Sequence, residues 1–152
     1  MRSLAVAVAT VAGVGYAPFA PGTVGSLAAL PLLPALAALR AHSLAGYTAV
    51  LASLILMAVW AAGRAEEALG AHDHAAIVID EVAGLAVTGF LLPATWRAAA
   101  LAFVCFRVLD VVKPFPAGAI DRHGRGGVGV VGDDLVAGLY AGLLARGLLE
   151  LL

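Results

Sequence analysis

SLAGYTAVLASLILMAVWAAG, residues 43–63, contains no Asp, Glu, Lys or Arg and no helix breaker other than Gly46. As an α-helix at 1.5 Å per residue it covers about 30 Å, the thickness of a bilayer's hydrocarbon core. The chain outward from it has the same character. Charge-free runs also extend from Ser3 to Leu39, from Val82 to Trp96 and from Leu135 to Ala145. Apolar residues make up 62% of the 152, charged residues 12%, and mean hydropathy is +1.01. A soluble domain of this length cannot hide so much apolar surface. The composition predicts an all-α integral membrane bundle in a single domain, residues 1–152. A net charge of −1 argues against nucleic acid as a partner. Cys105 is the one cysteine, so no internal disulfide forms.

Four segments read as spanning helices: Ser43–Gly63, Ile77–Leu92, Thr95–Val112 and Val128–Leu152. The N-terminal third is broken by Pro18, Pro21, Gly22 and Gly25. Leu4–Val14 is only about 16 Å long as a helix. It reads as a half-helix, a re-entrant segment or the apolar part of a signal peptide after Arg2. Val24–Leu39 is a second helical piece, bent around Pro31 and Pro34. RAEEALGAHDH, residues 64–74, reads as a polar loop, and residues 113–127 as a loop or short surface helix. Placing loops 64–76 and 113–127 on one side gives it Arg64, Lys113, Arg122 and Arg125. Arg40, Arg97 and Arg146 fall on the other, a weak bias that makes the first side cytoplasmic.

This topology brings acids together. Asp80 and Glu81 open one helix, Asp110 closes the next, and Asp133 and Asp134 sit early in the last. All five fall near one membrane face. A carboxylate at the centre of a membrane helix costs roughly 2.5–3.5 kcal/mol, so the cluster calls for positive partners. Arg107 and Lys113 flank Asp110 at i−3 and i+3 and leave the group at −3. A hard divalent cation such as Mg2+ suits the remaining oxygens, and a phosphate would then bind the metal, Arg107 and Lys113 together. Asp80, Asp110 and Asp134 are the strongest candidate ligands, because each shares its helical face with small or basic residues. Gly84 and Gly138, one turn beyond Asp80 and Asp134, allow the helix backbones to approach. The competing reading is a set of interhelical salt bridges.

Other motifs carry less. In PGTVGS, residues 21–26, free backbone N–H groups and the Thr23 or Ser26 hydroxyl suit a phosphate or an ordinary N-cap. His72-Asp73-His74 is not a zinc pattern and reads as a solvated loop, or as a headgroup contact or proton relay. Arg122 and Arg125 suit anionic headgroups or a positive-inside anchor.

APFAPGTVGSLAALPL (17–32), HDHAAIVIDEVAG (72–84) and FRVLDVVKPFPAGAIDRHGRGGVGVVGDDLVAG (106–138) together resemble the bacterial phosphatidylglycerophosphatase A family. The resemblance implies a Mg2+-dependent phosphatase of the bacterial inner membrane, with its site facing the cytoplasm. Its substrate would be phosphatidylglycerophosphate and its product phosphatidylglycerol. The motif positions correspond to Thr23, Asp80, Glu81, Arg107, Asp110, Lys113, Asp133 and Asp134, with His72 to His74 and Asp121-Arg122. On this reading Asp80, Glu81, Asp110, Asp133 and Asp134 supply metal ligation and catalysis, while Thr23, Arg107, Lys113 and Arg122 hold substrate phosphate. One departure is Gly129-Val130-Val131-Gly132, where the family has glycine–isoleucine–methionine before the acid pair. The resemblance also disfavours a cleaved signal, since PGTVGS must be an internal loop, and it leaves room for a homo-oligomer.

Two rival classes remain at this level. An ion-coupled transporter also carries intramembrane acids and broken helices, but no two halves of this chain look alike. A structural membrane subunit explains neither Lys113-Pro114 nor PGTVGS.

Overall fold

A computed structural model describes residues 2–151; Leu152, the end of the expected last helix, lies outside them. Every regular element among these residues is helical. The order is α1 (Arg2–Ala9), α2 (Pro21–Ala29), α3 (Leu32–His42), α4 (Leu44–Leu69), α5 (Ile79–Thr88), α6 (Trp96–Val112), α7 (Ala117–His123) and α8 (Gly126–Leu151), with short 3-10 turns at Val14–Tyr16 and Gly89–Leu91.

Three stretches are long and apolar enough to cross a membrane: Pro21–His42, which joins α2 and α3, then Leu44–Leu69 and Gly126–Leu151. The difference from the four expected lies in α5 and α6, which have 10 and 17 residues. In α5 every residue but Glu81 is buried, and α2, α4, α6 and α8 all pack on it. A helix that is apolar all round is a membrane span or a core helix; here its neighbours make it the core. The broken N-terminal stretch supplies a span instead, bent where α2 gives way to α3 at Leu30-Pro31.

Helix α4 also runs farther than its sequence suggested. Ser43 accepts a hydrogen bond from Gly46 N at 3.0 Å and caps its start. Its end is not Gly63. Arg64-Ala65-Glu66-Glu67-Ala68-Leu69 are good helix formers, Ala65 is fully buried, and Arg64 pairs with Glu67 at 3.0 Å. The helix stops where Gly70 adopts φ 71°, the left-handed conformation that glycine takes most readily. The expected loop 64–74 is therefore helix over its first half.

The N-terminal piece is a half-helix. After α1 the chain turns through positive φ at Val11, Ala12 and Gly13, and Ala9 O accepts from Val78 N at 2.9 Å. That bond ties the end of α1 to the start of α5. Gly15 lies against the Ala76 carbonyl and Gly25 against Val78, so residues 9–25 and 76–81 occupy one end of the bundle. Gly63 meets Gly127 at the same end of α4 and the start of α8. At the opposite end, Arg40 donates to Leu92 O at 2.7 Å and lies 5.9 Å over the Phe90 ring.

A carboxylate cleft at one end of the bundle

Helix geometry puts acids where helices begin. Asp80 and Glu81 occupy the first turn of α5, where the helix dipole and free N–H groups favour negative charge. Asp80 Oδ1 accepts from Glu81 N at 3.0 Å. Asp133 and Asp134 lie in the third turn of α8. Asp80, Asp133 and Asp134 are buried at 7%, 5% and 4% exposure, which is costly for unpaired charges.

The two bases divide the acids between them. Arg107 Nη1 lies 2.6 Å from Asp110 Oδ2 and 3.8 Å from Glu81 Oε1. Neither contact has hydrogen-bond geometry, so this buried nitrogen retains donor capacity. Lys113 takes a different direction from the one its spacing suggested. Helix α6 ends at Val112, and Lys113 turns into a left-handed conformation at φ 47° before Pro114, which disfavours helix in the residue it follows. Its ammonium donates to Asp133 Oδ2 at 2.5 Å and to Asp121 on α7. It does not stack on Asp110.

Among the described residues, Asp80 and Asp134 have no basic partner within salt-bridge distance. They meet Glu81 instead: one oxygen from each of Asp80, Glu81 and Asp134 lies within 4.8 Å of the others. Glu81 Oε2 is buried with no hydrogen-bond partner. Three converging carboxylates, one with an orphaned oxygen, are a donor set suited to a metal ion that prefers oxygen. Asp110, expected among the strongest ligands, lies beside Arg107, while Glu81, also in the expected set, groups with Asp80 and Asp134.

These side chains line a cleft of about 110 Å³. Asp80, Glu81, Asp110, Lys113, Asp133 and Asp134 form its walls, joined by Asp121, His72 and Asp73. Three expected phosphate contacts, Thr23, Arg107 and Arg122, fall outside this lining, Arg107 reaching it only through its contacts with Asp110 and Glu81. Thr23 is half-buried on α2, and Arg122 is exposed on α7. Ser26 is fully buried and donates back to Gly22 O at 2.9 Å. Two glycines of PGTVGS are closely packed. A β-carbon on Gly22 would lie 1.9 Å from Glu81 Oε1, and one on Gly25 would lie 2.8 Å from Val78 Cβ. Ala20 precedes α2 without a side-chain cap.

Sequence reasoning missed Asp121 as the second partner of Lys113, and Glu66. Glu66 Oε1 accepts from Asp73 N at 2.8 Å and pairs with His72 Nδ1 at 2.5 Å. The signal for Glu66 was the helical register of α4, which carries it one turn past Ala62 at the cleft end.

No solved structure matches this chain. It is 40% identical over 100 residues to phosphatidylglycerophosphatase A of Escherichia coli, covering 64% of this chain and 58% of that protein. It is 38% identical over 74 residues to phosphatidylglycerophosphatase A of Haemophilus influenzae, covering 48% and 45%. A Bacteroides thetaiotaomicron protein named, as a proposal, a phosphatidylinositol-3-phosphatase is 37% identical over 102 residues, covering 64% and 62%. The matched region thus spans less than two thirds of each relative. The family model for phosphatidylglycerophosphatase A, by contrast, matches residues 7–149, which hold both the bundle and its cleft; the chain belongs to that family.

Proposed function

We propose that this protein hydrolyses the terminal phosphomonoester of phosphatidylglycerophosphate to phosphatidylglycerol, with Mg2+ held by Asp80, Glu81 and Asp134. The observation that carries the reading is the trio of carboxylate oxygens within 4.8 Å, flanked by two bases at one end of a membrane-spanning bundle. When bound, Mg2+ would polarise phosphoryl oxygens and lower the pKa of a coordinated water. Arg107, with donor capacity left on Nη1, donates to the equatorial phosphoryl oxygens and offsets their charge. The ammonium of Lys113 has three protons, and two are engaged by Asp121 and Asp133; the third is available to the substrate phosphate. Asp110 and Asp133 hold these two cations in place. The cleft lies where α5 and α8 begin, so a headgroup reaches it from the membrane surface while its acyl chains stay in lipid. The positive bias of Arg64, Lys113, Arg122 and Arg125 supports a cytoplasmic orientation in the bacterial inner membrane.

The test is phosphate release from phosphatidylglycerophosphate by detergent-solubilised protein, with and without Mg2+. Turnover that depends on Mg2+ and is lost in Asp134→Asn supports the reading. Turnover indifferent to chelation removes the metal from it, and no release from this lipid alongside release from a phosphoinositide changes the substrate.

A further inference from the structure

We infer that His72, positioned by Glu66, is the acid that protonates the leaving glycerol oxygen. The inference rests on the phosphomonoesterase reading above and adds two residues to it. Glu66 is in the last turn of α4 with its side chain only 10% exposed, whereas His72 is 57% exposed. A largely buried carboxylate needs partners, and Glu66 Oε1 has two from the following turn: Asp73 N at 2.8 Å and His72 Nδ1 at 2.5 Å. An ionised carboxylate only accepts, so Nδ1 carries the proton of that pair. Nε2 is then the ring atom left to exchange a proton, on a residue that lines the cleft. The carboxylate thereby fixes the tautomer and ring orientation of the histidine.

The rest of the cleft lacks such a group. Its other lining groups that titrate are Asp73, Asp80, Glu81, Asp110, Lys113, Asp121, Asp133 and Asp134. All of these carboxylates but Asp73 serve a cation, an ionised carboxylate can take a proton but has none to give, and Lys113 is held by two of them. Breaking the phosphorus–oxygen bond to a primary alkoxide needs a proton, because the alkoxide is a poor leaving group. Water forms the new phosphorus–oxygen bond and gives a proton to a cleft carboxylate. The bond to the glycerol oxygen breaks, and that oxygen takes the proton from Nε2 of His72. The products are the lipid alcohol and phosphate, and the carboxylate's proton returns through solvent to His72.

Phosphate release from phosphatidylglycerophosphate, Mn2+ binding by electron paramagnetic resonance, and rescue by added imidazole test this in the full chain. A general acid contributes typically 10²–10⁴-fold, so His72→Ala lowers kcat by about 100-fold or more. KM and Mn2+ affinity change by less than about threefold, and imidazole restores part of kcat. Glu66→Gln lowers kcat by about tenfold in the wild-type background and adds nothing to His72→Ala, as expected of residues that act as a unit. The inference is overturned if His72→Ala keeps kcat within about threefold, if the two losses multiply, or if Mn2+ affinity falls in step with kcat. Wild-type protein that releases no phosphate from this lipid overturns the phosphomonoesterase reading itself; normal wild-type turnover with an indifferent His72→Ala overturns only the role of His72.

Discussion

Asp80 and Asp134 stand in the same place on two parallel helices. One turn on, a β-carbon on Gly138 would lie 2.3 Å from Gly84 O; one turn further, a β-carbon on Gly142 would lie 2.9 Å from Thr88 O. Each pair is separated by the same 54 positions, so α5 and α8 touch backbone to backbone in fixed register directly below the two acids. Phe106 of α6 fills the other side of Gly84, where a β-carbon would meet its ring at 2.6 Å. Close packing therefore sets how near the two carboxylates come.

Gly138→Ala should accordingly damage both stability and the site. The added methyl meets backbone, which cannot rotate away, and overpacking of this kind costs about 1–3 kcal/mol. Gly147→Ala is the control, because nothing lies within 4 Å of a β-carbon there and alanine favours helix by up to about 1 kcal/mol. Thermal unfolding in detergent should show a lower midpoint for Gly138→Ala and an unchanged or raised one for Gly147→Ala. Weakened Mn2+ binding should accompany the first only. Equal behaviour of the two variants would mean the register does not control the site.

Substitution of the acids should separate by partner. Among the described residues Asp80 and Asp134 have no basic partner, so Asn at either should remove metal binding and reduce turnover by more than tenfold, since a coordinating charge supplies several kcal/mol of transition-state stabilisation. Asp110→Asn should leave Mn2+ bound but free Arg107 to move, with the loss falling mainly on KM. A Mn2+ affinity lowered as much by Asp110→Asn as by Asp134→Asn would restore Asp110 to the ligand set.

Lys113 gives a prediction about pH as well as charge. Lys113→Met leaves Asp133 buried without its partner and should destabilise the protein by about 1–3 kcal/mol. Adding Asp133→Asn should recover much of that. Burial works against the lysine charge, but its hydrogen bonds and attraction to Asp121 and Asp133 outweigh it and raise the pKa above the ordinary 10.5. A raised folded-state pKa contributes stability fully below the unfolded value and loses it as pH rises through the folded value. The difference in unfolding midpoint between wild type and Lys113→Met should hold steady from neutral pH to about 10 and narrow only in stronger alkali. Narrowing near neutrality would contradict the pairing.

Much of this was legible in the sequence because one physical quantity dominated each reading. Absence of charge marked α4, and topology alone brought the starts of α5 and α8 to the same end. Gly84 and Gly138, one turn beyond Asp80 and Asp134, marked where the helix backbones approach. What stayed hidden depended on single backbone turns or on neighbours. The left-handed turn at Lys113 redirects its ammonium from Asp110 to Asp121 and Asp133. Burial on all sides makes α5 a core helix, which composition cannot distinguish from a span. The close approach of Gly22 to Glu81 and Arg107 is likewise invisible until the helices are placed.

The proposed orientation in the membrane is testable with single cysteines in a Cys105→Ala background. Ala71 and Arg125 are exposed at the cleft end, and Ala94 is exposed at the tip between α5 and α6. Gly118 is unsuitable, because a β-carbon there would lie 2.8 Å from Lys113 O. An impermeant thiol reagent added to inverted vesicles should label cysteine at 71 and at 125 but not at 94; intact spheroplasts should give the reverse. The Arg and Lys asymmetry is only four against three, so it sets the expected direction weakly. The pairing of 71 with 125 is the stronger expectation, since Gly63 touches Gly127 and the cleft draws on both loops. Labelling of 71 and 125 from opposite sides would break the cleft apart, whereas labelling of both from outside would keep the cleft and invert only its orientation.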